Sequence, residues 1–339
     1  MTSVKELGGE FALIDLIART LGKSKDKSVV AGIGDDTAVV DFDEKHYMLL
    51  TVDMLVEGDH FSRKWSTAKQ IGMKAMEINV SDIAAMGGFP KYALVSISLP
   101  EYVTVEYVKE MYSGMKSIAK KHNFSIIGGN TTHGEKLVID VVVIGLVEKE
   151  RLCLRSNAKV GDLICVTGNL GKSTAGLETL KAGLKGNVKD HLEPECRLKE
   201  ARIISKHANA MIDVSDGLAS EVKHICEMSQ TGATVEKKKI PISRNTFNLA
   251  GKLKKDAYDF ALHGGEDFEL VFTIPKNKLK KIKTKCPITV VGKITSKKQG
   301  VWLVDGKLEN HKTKPAKTTK QNRKQKTPLG GGYDHFKQF

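Results

Sequence analysis

Two kinds of apolar pattern run through the first half of the chain, and together they predict a sheet covered by helices. Short, mostly apolar runs predict strands over 46–53, 91–99, 124–128 and 137–147. Apolar residues three and four positions apart predict helices over 10–21, 68–86 and 104–122. This mixture indicates an α+β fold with a mixed sheet.

The second half repeats the mixture, which predicts a second mixed α/β domain. Strands are predicted over 162–167, 210–214, 268–274 and 288–294, with helices over 172–183, 195–207 and 216–230. The polar segment from Glu148 to Val160 marks the junction. A typical domain has about 150 residues, so the 339 residues suit domains over 1–150 and 151–310.

The last part of the chain changes in character. Residues 311–330 are basic and lack apolar periodicity, which predicts a flexible segment. The formal net charge is +14, and seven Lys or Arg residues without an acid lie between His311 and Gly332. Residues 331–339 return to glycine and aromatic residues, so we expect this end to pack against the folded part and to reach the substrate site.

Composition fits a folded protein of the cytoplasm. Apolar residues make up 40% and charged residues 28% of the chain. No apolar run approaches the length of about 18 residues that a membrane span needs, and the first residues lack the apolar block of a signal peptide. Five scattered cysteines without C-x-x-C spacing predict reduced thiols rather than a disulfide framework or a zinc site.

Aspartates inside apolar or glycine-rich sequence are the strongest chemical signal. They occur in Gly34-Asp35-Asp36, and at Asp53, Asp82, Asp213 and Asp216. Aspartate is poor in strands and costly to bury without a partner. Any single one could cap a helix or a turn, but carboxylates that converge on magnesium would explain the whole set.

Glycine clusters accompany these acids and predict close approach of backbone amides to phosphates. Examples are Gly128-Gly129-Asn130 and Gly264-Gly265-Glu266. The segment from Gly168 to Ser173 imitates a P-loop, but the glycine required five positions before Gly171 is Val166. A P-loop fold is therefore excluded.

Seven motifs, in order along nearly the whole chain, resemble the thiamine-monophosphate kinase family. They are G-I-G-D-D at 32–36, T-V-D-M-L-V-E-G-D-H-F at 51–61, N-V-S-D-I-A-A-M-G at 79–87, G-G-N-T-T-H-G at 128–134, D-V-S-D-G-L at 213–218, G-G-E-D-F-E-L at 264–270 and G-Y-D-H-F at 332–336. The resemblance implies two domains of the aminoimidazole ribonucleotide synthetase-like type. It also implies ATP binding without a P-loop and a homodimer formed through the N-terminal sheet.

The resemblance also implies roles for individual residues. Several magnesium ions would be bound by Asp36, Thr51, the Val52 carbonyl, Asp53, Asp82, Asn130, Asp213 and Asp216. ATP would contact Tyr112, Gly129, Asn130, Arg155 and Ser215, and thiamine monophosphate would contact His60, Glu266 and Tyr333. Relatives usually have aspartate where this chain has Asn130, so a magnesium ion there would be held more weakly.

The implied reaction is in-line transfer of a phosphoryl group from ATP to thiamine monophosphate, without a general base.

Taken singly, His60 could be an ordinary histidine at a strand end, and Arg155 a surface arginine between domains. Another ATP-using enzyme of the superfamily, such as a purine-pathway synthetase, is the alternative enzyme. A nucleic-acid-binding module is the alternative from another class, but the basic segments at 276–285 and 311–329 lack aromatic residues on which bases could stack, so nucleic acid is disfavoured.

Overall fold

The computed structural model describes residues 3–305 and 326–335. Its first domain is a six-stranded mixed sheet with two long helices packed against it. The strands are β1 (Val29–Ala31), β2 (Ala38–Asp41), β3 (His46–Val56), β4 (Phe89–Leu99), β5 (Ser125–His133) and β6 (Val138–Glu148), and the helices are α1 (Val4–Leu7), α2 (Glu10–Leu21), α3 (Ala68–Ala85) and α4 (Val105–His122). The strand order is β1-β2-β3-β6-β4-β5, and only β4 and β5 are parallel neighbours within this sheet.

The second domain is a seven-stranded mixed sheet with its own helices. The strands are β7 (Leu163–Thr167), β8 (Ala210–Asp213), β9 (Thr231–Glu236), β10 (Leu270–Ile274), β11 (Ile288–Ser296), β12 (Val301–Val304) and β13 (Lys326–Pro328), and the helices are α5 (Lys172–Lys181), α6 (Lys189–Leu192), α7 (Leu198–Ile204), α8 (Leu218–Met228), α9 (Arg244–Leu253) and α10 (Ala257–His263). The order is β13-β12-β9-β11-β7-β10-β8, and β9 and β12 are parallel. The α+β class is therefore confirmed.

Helix α3 lies between the two domains and is buried on almost every side. It contacts β3, β4 and β6 of the first sheet, and β8 and α7 of the second domain. Its apolar side chains belong to a core that continues from Leu49 in the first domain to Phe272 in the second. A helix that is covered all round positions its polar side chains rigidly, and three of these side chains, Lys74, Ser81 and Asp82, belong to the site described below.

Two glycines allow α3 and α4 to pack in direct backbone contact. A Cβ atom at Gly72 would lie 2.0 Å from the carbonyl oxygen of Met111, and one at Gly114 would lie 2.1 Å from that of Lys69. Any larger residue at either position would push the helices apart. This contact fixes α3 against the outer helix of the first domain.

The long predicted elements are present with boundaries shifted by up to five residues, and short elements were missed. The missed strands β1, β2, β9 and β12 have three to six residues each, too few for a clear period. The helix predicted over 195–207 is shorter, because residues 195–197 lie outside α7. The missed helices α9 and α10 have ten and seven residues.

The flexible segment predicted over 311–330 needs a correction at its end. Residues 326–328 form β13, which pairs with β12, and Leu329 is buried against the second core, so residues 326–329 are not a flexible segment. Residues 311–325 lie outside the described residues. All five cysteines are free, as predicted. In the described part of the chain, no helix is both long enough and apolar enough to cross a bilayer.

Candidate active site

Three aspartate carboxylates converge where the two domains meet. Oxygen atoms of Asp36, Asp82 and Asp213 all lie within 4.8 Å of one another. Asp36 precedes strand β2, Asp82 lies near the end of α3, and Asp213 is the last residue of β8. Because these elements come from both domains, the cluster depends on how the domains pack together.

Two hydroxyl groups orient these carboxylates. Thr51 Oγ1 donates a hydrogen bond of 2.5 Å to Asp82 Oδ2, and Ser81 Oγ donates one of 2.5 Å to Asp213 Oδ2. Hydrogen bonds to carboxylates at this length are charge-assisted. Each hydroxyl donates only one hydrogen bond, so the carboxylate oxygens keep lone pairs that can bind another donor or a cation.

Burial and mutual repulsion raise the pKa values in this cluster. Burial, together with the charge of Asp36, raises the pKa of Asp213 to about 8. Burial and the charges of the neighbouring aspartates hold the pKa of Asp82 well above its ordinary value. Asp53, whose pKa burial raises to about 6, interacts electrostatically with both Asp82 and Asp213. Such a concentration of carboxylates suits a hard divalent cation.

Arg155 lies beside this cluster and connects it to the second domain. Its Nη2 atom donates to Asp36 Oδ1 at 2.6 Å, and its backbone N–H donates to Asp35 Oδ2 at 3.1 Å. Ser229 Oγ in turn donates to the Arg155 carbonyl at 2.7 Å. Burial alone would lower the pKa of Arg155, but the charge of Asp36 raises it. The guanidinium is therefore a fixed cation at the edge of the cluster, with a geometry that suits phosphate oxygens.

A second group of side chains surrounds the predicted substrate residues. The His335 ring lies 4.9 Å from the His60 ring and 5.0 Å from the Tyr333 ring, centroid to centroid. His335 Nδ1 lies 3.6 Å from Asp59 Oδ2. His60 Nδ1 accepts a hydrogen bond from the Val56 N–H at 3.1 Å, so the neutral His60 ring carries its proton on Nε2.

The backbone around Glu266 has an unfavourable conformation, and Glu266 forms a backbone hydrogen bond with Ser215. Glu266 has a φ of 63° and Phe268 a φ of 48°, which is the left-handed region that non-glycine residues avoid. The Glu266 N–H donates to the Ser215 carbonyl at 2.7 Å, and a Cβ atom at Gly265 would lie 2.3 Å from that carbonyl. Strain of this kind is concentrated at functional sites.

The end of the chain packs across this region. The Tyr333 N–H donates to the Asp216 carbonyl at 3.0 Å, and Asp334 Oδ1 accepts a hydrogen bond of 3.2 Å from the Glu10 N–H. Burial, with the charges of Glu10 and other neighbours, raises the pKa of Asp216 to about 7. Asp216 therefore faces the terminal segment and is not part of the Asp36, Asp82 and Asp213 cluster.

Three predicted site residues are not brought to the cluster. Gly129 and Asn130 are exposed on β5, the edge strand. The Val52 residue is 56% exposed on β3 between Thr51 and Asp53, and the role predicted for its carbonyl stays a prediction. Tyr112 lies on α4 against the first core, and within residues 3–305 and 326–335 no hydrogen bond or ion pair joins it to the aspartates.

The separation of Asn130 from the cluster follows from the sheet register. Gly129 shares a row with Asp53, but β4 and β6 lie between their strands, so the two Cα atoms are about 14 Å apart. Asn130 shares the next row with Met54, which is 52% exposed on the face away from α3. Successive residues of a strand point to opposite faces, so Asn130 and Asp53 face opposite sides of the sheet.

The P-loop-like turn is filled by a carboxylate. Asp267 Oδ2 accepts a hydrogen bond from the Gly171 N–H at 2.5 Å, and Oδ1 accepts one from the Ser173 N–H at 3.0 Å. Lys172 pairs with Glu269 at 2.6 Å, which Arg197 also contacts. The amides and the lysine that would bind phosphate in a P-loop are therefore already paired with side chains of the protein.

Sequence reasoning missed Ser81, Lys74 and His191 as site residues. Lys74 Nζ lies 2.6 Å from Glu266 Oε1, and His191 Nδ1 lies 3.3 Å from Glu266 Oε2. Lys74 interrupts the apolar run Ile71-Gly72-Met73 and Ala75-Met76 of α3, and this interruption was the available signal. Nothing in the local sequence distinguishes Ser81 or His191 from ordinary polar residues.

Each of the two domains matches a known family model. Residues 34–147 match the model of the AIR synthase related protein, N-terminal domain, and residues 159–304 match that of the C-terminal domain. The chain is 39% identical over 311 residues to the thiamine-monophosphate kinase of Aquifex aeolicus (strain VF5), covering 90% of this chain and 96% of the relative. The chain belongs to the thiamine-monophosphate kinase family.

Further comparisons agree with this membership. The thiamine-monophosphate kinase of Bacillus subtilis (strain 168) is 39% identical over 307 residues, covering 85% of this chain and 92% of the relative. A solved structure described as AaThiL complexed with AMPPCP and TMP superposes with a TM-score of 0.80 at 38% identity, covering 89% of this chain and 95% of that one. The resemblance to thiamine-monophosphate kinase inferred from the seven motifs is thus confirmed.

Proposed function

We infer that the protein transfers the γ-phosphoryl group of ATP to thiamine monophosphate, which gives thiamine diphosphate. The observation that carries this inference is the convergence of Asp36, Asp82 and Asp213 in a chain of the thiamine-monophosphate kinase family. The solved relative complexed with AMPPCP, an ATP analogue, and TMP supports the same pair of substrates.

The acidic cluster fits magnesium. Its donors are buried carboxylate oxygens whose repulsion a divalent cation would relieve, and none of the lysines that the structure describes is paired with them. Asp36, Asp53, Asp82 and Asp213 would hold magnesium, with Asp216 on the side of the terminal segment. Bound magnesium would neutralise charge on the transferring phosphoryl group.

The acceptor phosphate needs no general base. The second pKa of a phosphate monoester is about 6, so the attacking oxygen is largely ionised near pH 7. The protein must instead hold two polyanions in line and close together. Arg155 and Ser215 would contact ATP, while His60, Glu266 and Tyr333 would hold the thiamine part.

We further propose a homodimer in which the outer face of the first sheet is buried. Val52, Met54, Tyr92, Leu94 and Ile127 are large apolar residues of β3, β4 and β5 that are between 37% and 57% exposed. An apolar sheet face of this extent is typical of an interface. Because Asn130 lies on this face and far from Asp53 of its own chain, Gly129 and Asn130 would complete the nucleotide site of the second copy.

A direct assay tests the function. Purified protein with ATP and magnesium should convert thiamine monophosphate to thiamine diphosphate, with thiamine and an aminoimidazole precursor of the purine pathway as control substrates. Product should form from thiamine monophosphate alone. Turnover of the purine precursor in its place would favour a synthetase of the same superfamily.

A further inference from the structure

Lys74 is a charged residue buried in the middle of the molecule. It lies on α3, and only 4% of its side chain is exposed. An ammonium group buried to this degree is costly unless partners surround it. The identity of those partners therefore indicates what the lysine does.

Both partners of Lys74 are residues predicted to hold thiamine monophosphate. Its Nζ atom lies 2.6 Å from Glu266 Oε1 and donates a hydrogen bond of 3.0 Å to the backbone carbonyl of His60. Glu266 belongs to the second domain and His60 to the first. One ammonium group thus fixes two substrate-site residues that come from separate domains.

We propose that Lys74 is a positioning residue for the acceptor: it holds the Glu266 carboxylate and the His60 loop in the geometry that binds thiamine monophosphate. This rests on the assignment of His60 and Glu266 to the acceptor site made above. Asp82 lies two turns of α3 further on, about 12 Å along the helix axis, so Lys74 is placed apart from the acidic cluster.

The surroundings of Glu266 support this role. His191 Nδ1 approaches the second carboxylate oxygen at 3.3 Å, and Ser173 Oγ lies 3.1 Å from the same His191 nitrogen. Burial alone would raise the pKa of Glu266, but the charge of Lys74 and the hydrogen bond with His191 lower it to about 2. Glu266 is therefore an anion of fixed orientation, with 28% of its side chain still exposed to a ligand.

A second ion pair that includes a residue of α3 supplies a comparison away from the predicted substrate residues. Lys121 of α4 pairs with Glu77 of α3 at 3.0 Å, and the Glu77 side chain is completely buried. That ion pair contacts His122 and Cys196 and none of the predicted site residues. Lys121→Met is thus a matched control for the loss of an ammonium from a buried carboxylate.

The test is steady-state kinetics of Lys74→Met in the full-length protein. We expect the KM for thiamine monophosphate to rise about tenfold or more, while the KM for ATP changes less than twofold. Lys121→Met should lower the melting temperature but leave both KM values within twofold. If Lys74→Met does not fold, Lys74→Gln, which keeps a hydrogen-bond donor and loses the charge, should show the same split between the two substrates.

A double variant tests whether Lys74 acts through Glu266. Glu266→Gln alone should raise the KM for thiamine monophosphate, and adding Lys74→Met should raise it less than twofold further, because the two changes remove one unit. An unchanged KM for thiamine monophosphate in a folded Lys74 variant, or equal increases for both substrates, would overturn the proposal. An unaffected Glu266→Gln would show that the acceptor site itself is misplaced, and absence of wild-type turnover would reject the function.

Discussion

Ser81 of helix α3 donates a hydrogen bond of 2.5 Å to Asp213 of strand β8, which joins the two domains inside the acidic cluster. The neighbouring residue Asp82 is itself a member of the cluster. Two consecutive residues of a buried helix therefore orient the carboxylates from both domains. The catalytic geometry and the domain packing depend on the same contacts.

Replacing Asp82 should separate metal binding from folding. In Asp82→Asn the amide oxygen can still accept the Thr51 hydrogen bond, but one negative charge is lost. We expect the metal-free variant to melt at a higher temperature than the wild type, because the asparagine removes the cost of burying a carboxyl group among other aspartates. Turnover should fall by about 100-fold or more, and magnesium should no longer raise the melting temperature.

Asp162→Asn is the control for this change. Asp162 is also a buried aspartate, but its carboxylate accepts hydrogen bonds from Lys159 and Asn209, outside the site. It should retain turnover and the response to magnesium, measured by kinetics and by melting with and without the ion. Wild-type turnover in Asp82→Asn at saturating magnesium would contradict the assignment.

The proposal that two copies share each nucleotide site predicts complementation between two inactive variants. Asp82→Asn inactivates the cluster of its own chain, and Asn130→Arg places a cation where magnesium and ATP of the other copy would bind. A mixed dimer contains one intact site, so mixing the two proteins after reversible unfolding should restore about a quarter of wild-type activity, a figure from random pairing of the chains. If no activity returns although mixed dimers are detected, Asn130 acts within its own chain or not at all.

The pair of Glu148 and Arg202 predicts how stability depends on pH. Arg202 Nη2 lies 2.6 Å from Glu148 Oε1, and this hydrogen bond lowers the pKa of Glu148 to about 2, below its ordinary 4.5. Because the folded state has the lower pKa, the stabilisation is complete above pH 4.5 and is lost as the pH falls toward 2.

Glu148→Gln should therefore lower the melting temperature by a few degrees at pH 7, a loss of about 1–3 kcal/mol. The difference from the wild type should shrink when both proteins are melted at pH 4.5, 3.5 and 2.5. Lys223 and Glu227 form an exposed pair 3.7 Å apart on α8, and Glu227→Gln is expected to change the melting temperature very little at any pH. A pH-independent effect of Glu148→Gln would mean that shape, not charge, is responsible.

The filled P-loop-like turn predicts a structural role for Asp267. Asp267→Ala leaves the amides of Gly171 and Ser173 buried without acceptors, at a cost of about 1–3 kcal/mol each. The melting temperature should fall by several degrees. Asp256→Ala, which removes an exposed cap of α10, should cost less. Lys172→Met should leave the KM for ATP within twofold, and a large increase would show that this turn binds nucleotide after all.

The sequence predicted the candidate site best where a charged residue interrupts an apolar run. Asp53, Asp82 and Asp213 interrupt buried strands and a buried helix, which led the sequence to predict that their carboxylates converge, and Asp82 and Asp213 do lie together. Lys74 carried the same signal, but its partner Glu266 lies 192 positions away, so no local pattern could pair them. The position of Asn130 depended on a strand order in which β6 and β4 separate β3 from β5, and that order is a property of the whole sheet.

Helix α3 carries Lys74 and Asp82 eight residues apart, and an α-helix rises about 1.5 Å per residue. In the arrangement proposed above, the rigid helix acts as a spacer of about 12 Å between the residues that would hold the thiamine part and those that would hold magnesium and the phosphates. An acceptor without a phosphate would then fall short of the acidic cluster. Under this proposal, the spacing along α3 contributes to the discrimination between thiamine and its monophosphate.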